Sequence, residues 1–133
     1  MALQYSVAVR NAQLDAVETT IGTTPSLEIR TGAPPANCAA ADRGSVLATI
    51  VLPSDWMQNA ASGQKLKSVA AWSVAASGTG VAAHWRLKQG ATCHAQGTVT
   101  GTGGGGDMEV DNTSINSGQT VTVNTFTLNR GNA

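Results

Sequence analysis

Apolar residues in this chain recur mostly at every second position, and at helical spacing only once. Leu14, Val17 and Ile21, with Ala12 and Ala16 beside them, put an apolar stripe on one helix. Asn11 is its expected N-cap, Asp15 and Glu18 suit its early turns, and Gly22 followed by Pro25 ends it. Ahead of it Leu3, Tyr5, Val7 and Val9 alternate with Gln4, Ser6 and Ala8, predicting an extended arm or first strand over residues 1–9.

After Pro25 the period is two. Leu27 and Ile29 alternate with Glu28 and Arg30, giving a strand with one apolar and one charged face. Residues 32–44 hold Gly32, Pro34, Pro35, Asn37 and Asp42 and read as a loop. Val46 to Leu52 is apolar on both faces apart from Thr49, which predicts a central strand covered on both sides and ended by Pro53. Ser54 to Gln58 suits one short helical turn. Ala70, Trp72 and Val74 share a buried parity, and Ser77 to Gly80 is a turn.

The clearest strand follows. Val81, Ala83, Trp85 and Leu87 point one way, and Ala82, His84, Arg86 and Lys88 the other. Gln89-Gly90 turns into a strand over 92–100, and Gly101 to Gly106 reads as a flexible hairpin loop. Met108 and Val110 then alternate with Asp107, Glu109 and Asp111. In the last strand, 119–129, Val121 and Val123 have one parity and Phe126 and Leu128 the other. That predicts a bulge near Asn124-Thr125, or burial on both faces. The expected fold is all-β, a β-sandwich or barrel with one N-terminal α-helix. The alternative is a smaller sheet with the helix packed on it. One domain over 1–133 is expected, residues 1–24 supplying the arm and helix.

Composition narrows the function classes. Only 12% of the 133 residues are charged, the net charge is zero, and the polar surface is made of Thr, Ser, Asn, Gln and Gly. Few charges protect weakly against association, which suits a protein packed against copies of itself or a partner. Zero net charge gives no overall pull toward nucleic acid or an anionic membrane. Nothing reads as a signal peptide or a membrane helix. The two cysteines, Cys38 and Cys93, default to free thiols in a reducing compartment; a disulfide requires a proximity that spacing alone does not establish.

Motifs for chemistry are weak. The glycine run lacks the Gly-Lys-Ser/Thr ending of a P-loop and leads into Asp107 and Glu109, which repel phosphate. Ser62-Gly63-Gln64-Lys65 matches Ser-x-x-Lys without its partner motifs. Cys93 and His94 are adjacent on a strand and point apart, so neither a zinc site with Cys38 and His84 nor a Cys–His pair is favoured. Asp107, Glu109 and Asp111 share a face but lack the order of a calcium loop. They complement the row His84, Arg86 and Lys88. The two rows pair across neighbouring strands or a subunit boundary, or they are two solvated faces. Trp72 and Trp85 share their strands' apolar parity, whereas Trp56 lies in a linking segment and is a candidate contact residue. The interface candidates are therefore His84, Arg86, Lys88, Asp107, Glu109, Asp111 and Trp56. No cofactor or metal is expected, and an enzyme is disfavoured because no acid, base and nucleophile converge.

The opening Met1 to Asn11, the helix Leu14-Asp15-Ala16-Val17-Glu18, the block Leu27 to Gly32, Leu52-Pro53-Ser54-Asp55-Trp56-Met57 and the ending Thr125 to Leu128 carry a resemblance. Together they resemble small structural proteins of tailed bacteriophages and prophages, in particular capsid cement, or decoration, proteins. The resemblance implies an oligomeric, jelly-roll-like or related β-sandwich on the capsid exterior. Its partners would be the major capsid protein and copies of itself, as a dimer or trimer, with no nucleic acid and no membrane. The protein would be made in the bacterial host cytoplasm and end in the virion. The alternatives are a tail, baseplate or fibre-attachment component, or a glycan-binding module using Trp56.

Overall fold

The computed structural model describes residues 3–131; Met1 and Ala2, which begin the expected arm, lie outside the described residues. The helix α1 spans Val7–Ile21 and starts earlier than the apolar stripe predicts. Its N-cap is Ser6, whose Oγ accepts from the Val9 N–H at 3.3 Å, while Arg10 N–H donates to Ser6 O at 3.0 Å. A free hydroxyl in extended backbone is a strong start signal, and it overrides the alternation that suggested a strand through residue 9. Asn11 sits inside the helix and accepts from Gly63 N–H at 2.9 Å. Gly22, at φ +93°, ends the helix as expected. Leu14 and Ile21 are buried on its inner face.

Among the described residues nine strands follow: β1 Ser26–Thr31, β2 Val46–Val51, β3 Gln64–Leu66, β4 Ser73–Ala75, β5 Gly80–Gln89, β6 Thr92–Gly101, β7 Met108–Val110, β8 Ser114–Ile115 and β9 Thr120–Asn129. The fold is all-β with one N-terminal helix, its strands forming one curled mixed sheet in the order β2-β1-β5-β6-β7-β9-β3, with β4 on β9 and β8 on β5. The curl brings Ser77 and Gly78, just beyond β4, to the Leu47 carbonyl of β2. β2 is thus an edge strand and not the predicted central one: Thr49 and Val51 face outward, and its apolar run serves only one covered face. Ser54 to Gln58 forms a bend and a bridge in place of a helical turn.

One core fills the curl. Leu27 pairs with Ile50 and Leu87, and Ile29 with Ala48 and Trp85, so three strands share an apolar face. Trp56, Trp72, Phe126 and Trp85 continue it as a chain of ring contacts, with centroids 6.4, 5.8 and 5.1 Å apart in that order. Trp56 is fully buried and donates through Nε1 to Gly22 O at 3.0 Å, so it belongs to the core and not to a contact surface.

Bulges reset strand parity, two of them on the long strands β5 and β9. On β9, Thr125 pairs with Glu109 and Val123 with Val110, leaving Asn124 extra; this is the predicted bulge, and it turns Val121, Val123 and Phe126 all inward. On β5, His84 pairs with Arg30 and Ala82 with Thr31, leaving Ala83 extra. Val81 is therefore 62% exposed, and Ala82 takes the buried place expected for its neighbours.

Candidate functional site

The sheet face opposite the core is charged where β1, β5 and β6 adjoin. Register places Glu28 beside Arg86, Arg30 beside His84, and Arg86 beside Gln96. A bare polar face would be solvated. Here the loop 32–44 lies over it, and loops that lie on protein must place their carbonyls on donors.

Those donors are the side chains of the face. Arg86, 2% exposed, donates to Asp42, to Cys38 O at 2.9 Å, to Ala40 O at 3.3 Å and to Asn37 O at 3.4 Å. Arg30 donates to Arg43 O at 3.0 Å and pairs with Glu28 at 2.5 Å. Gln96 donates to Pro35 O at 2.7 Å. His84, fully buried, lies 2.7 Å through Nδ1 from Gly32 O; a carbonyl only accepts, so Nδ1 carries the proton. Lys88 closes the network on Asp42 at 2.7 Å and Glu28 at 3.1 Å. The hydrogen bond from Lys88 is the main reason the Asp42 carboxyl titrates below its usual range, helped by Arg86. Burial works against charge on Arg86 and Lys88, but their carboxylate partners outweigh it and push both upward.

The predicted basic row is therefore real as a row, but its partners are Glu28 and Asp42, not the acidic row. Asp107 accepts from Thr98 N–H at 3.0 Å, and Asp111 from Asn112 and Thr122 N–H at 3.0 and 3.1 Å. Glu109 accepts from Gly103 and Gly105 N–H at 3.2 and 3.1 Å, which lowers its carboxyl. The glycine run between is not a hairpin loop. It folds back so that β7 runs parallel to β6, Val99 beside Met108. A Cβ at Gly104 would lie 2.6 Å from the Thr100 Cβ, which is why this path needs glycine.

Lys65, the last residue of the Ser-x-x-Lys match, is a further buried cation, 2% exposed. It pairs with Asp15 at 2.7 Å and Glu18 at 3.0 Å, holding α1 to β3. Ala60 and Met57 N–H donate to the same two carboxylates at 2.9 and 3.0 Å. The Lys65 hydrogen bond leads in lowering Asp15.

With these networks in place, every charged side chain except Arg43 and Asp55 is hydrogen-bonded or ion-paired among the described residues. The outward positions of the loop are Ala33, Ala36, Asn37, Ala39 and Ala41, small and uncharged, next to exposed Asp42 and Arg43. Among the described residues no group of His, Cys, Asp and Glu is arranged to hold a metal ion, and no helix is long and apolar enough to cross a membrane. No family model, curated protein or solved structure matches the chain.

Proposed function

We propose that this chain is a bacteriophage virion structural protein of the cement or decoration type. It would bind the outside of the capsid shell as an oligomer and clamp neighbouring subunits of the major capsid protein. The observation that carries the reading is the inward use of charge. A chain with few charges engages nearly all of them internally, and so offers partners Thr, Ser, Ala, Asn and Gly, with scattered apolar residues such as Val51, Val69 and Val81, on its strands and a pinned loop. Such a surface needs little desolvation of charge to pack against another protein. Repetition over a lattice multiplies a modest contact into a stable one. The resemblance to phage structural proteins points the same way.

The glycan-binding alternative rested on an exposed Trp56, and that ring is buried. The tail or baseplate alternative shares the same surface logic and differs in copy number. Quantitative mass spectrometry of purified virions decides between them. A copy number comparable to that of the major capsid protein supports the cement reading. A few copies per particle replace it with a tail or baseplate component, and absence from the particle overturns both. Light scattering of the purified protein gives the oligomer, expected to be a dimer or trimer.

A further inference from the structure

We infer that Cys38 and Cys93 form an intramolecular disulfide that staples the loop 32–44 to β6 when the protein meets an oxidant. The two sulfurs lie 2.7 Å apart, although the residues are 55 positions apart in sequence. That is closer than two thiols merely in contact, and a small adjustment from the covalent distance of about 2.05 Å.

The fold builds this meeting from both sides. On β6, Lys88 pairs with Cys93 and Leu87 with Ala95, so His94 is the extra residue of a bulge. The bulge puts Cys93 on the loop-facing side, while His94 lies beside Gln13, Val17 and Ile21 of the helix. On the loop, Arg86 grips the Cys38 carbonyl at 2.9 Å. Both cysteines are half-buried and border an open depression lined by Ala39, Ala41 and Thr92, which gives a small reagent access.

The chemistry balances with a low-molecular-weight disulfide as oxidant. One protein thiolate attacks it, forming a mixed disulfide and releasing one small thiolate. The second protein thiolate then displaces the other small thiol. Two protein thiols are oxidised, one small disulfide is reduced to two thiols, and two protons are redistributed. Burial and the neighbouring Cys38 push the Cys93 thiol up to about 11, which disfavours Cys93 as the first attacker. Once Cys38 is in a mixed disulfide, its share of that upward push is gone, and the Arg86 guanidinium favours the Cys93 thiolate that resolves it. The inference does not depend on the virion reading.

The test equilibrates the folded protein with oxidised glutathione, then blocks thiols with a maleimide and measures intact mass. The expected product is a monomer lighter by two hydrogens, without maleimide adducts, whose digest links the peptides of Cys38 and Cys93. Reductant should lower its melting midpoint by roughly 10 °C, as closing a loop of this length implies. Cys38→Ser and Cys93→Ser should each melt at the same temperature with and without reductant. Two maleimide adducts after oxidation, a persistent glutathione adduct or a cross-linked dimer would each overturn the inference.

Discussion

The helix α1 and the loop 32–44 are both held to the sheet by a buried cation, yet the two attachments differ in kind. A helix satisfies its own backbone, so Lys65 needs only to meet the Asp15 and Glu18 side chains. The loop has little backbone pairing of its own, and its carbonyls turn to the sheet. Arg86 meets three of them and a carboxylate at once, and Arg30, His84 and Gln96 meet others. A planar group with five donors can do this, and an ammonium with three on a flexible stem does it poorly. The choice of Arg under the loop and Lys under the helix follows from what each segment lacks.

Arg86→Met breaks the comparison hardest. It leaves several loop carbonyls without their donor and Asp42 with Lys88 as its main partner, and should cost about 3–5 kcal/mol, read as a lower urea midpoint. Arg86→Lys should recover only part of that, because a point charge reaches Asp42 but not the carbonyls. Lys65→Met is the matching change under the helix. Asp15 is half-exposed and can turn to water, so the loss should be smaller, about 1–3 kcal/mol. A larger loss for Lys65→Met than for Arg86→Met would reverse the stated reason for the difference.

Titration separates the two attachments at one end of the pH scale and joins them at the other. Asp15 and Asp42 both titrate below their usual range, held there chiefly by hydrogen bonds from Lys65 and Lys88. Their contribution is complete above the unfolded carboxyl value of about 3.9 and is lost as pH falls through the lower folded values. Acid should therefore loosen helix and loop together, and Asp42→Asn should flatten the slope of stability below about pH 4. At the alkaline end Lys65 is raised: burial opposes its charge, but Asp15 and Glu18 outweigh that. Its contribution is complete below about pH 10.4 and lost as pH rises through the higher folded value, whereas arginine keeps its proton. Hydrogen exchange along a pH series should show α1 loosening before the loop. Simultaneous loosening would mean that Arg86 does not hold the loop independently.

The alternation of Leu27 and Ile29 with Glu28 and Arg30, the stop at Gly22 and the parity break at Asn124 were legible because each is a local rule of backbone geometry. What covers a face is not local. His84, Arg86 and Lys88 read as a polar row, and nothing in their spacing tells solvent from a loop lying on them. The covering segment, with its two prolines, Asn37 and Asp42, has the composition of an ordinary surface turn. The same gap misplaced β2, whose apolar run looks central although it borders only β1 in the ladder. It also misplaced Trp56, because a residue between strands can turn inward as readily as out. One cue was available for the site: Glu28 and Arg30 match the basic row in period and charge, so the two rows could have been set on adjacent strands.

The smallest expected effect concerns a third attachment, which extends the comparison from cations to an anion. The glycine run presents N–H groups where the loop presents carbonyls, and Glu109 answers at Gly103 and Gly105. This carboxylate is near solvent and its loop covers no buried charge, so water can replace it. Glu109→Gln should leave the global melting midpoint unchanged within error while speeding hydrogen exchange at Gly103 and Gly105. A measurable drop in the midpoint would show that the fold-back between β6 and β7 depends on this carboxylate, and that glycine geometry and Thr100 do not hold it alone. An unchanged exchange rate would show the opposite, that the path is held by packing without the anion.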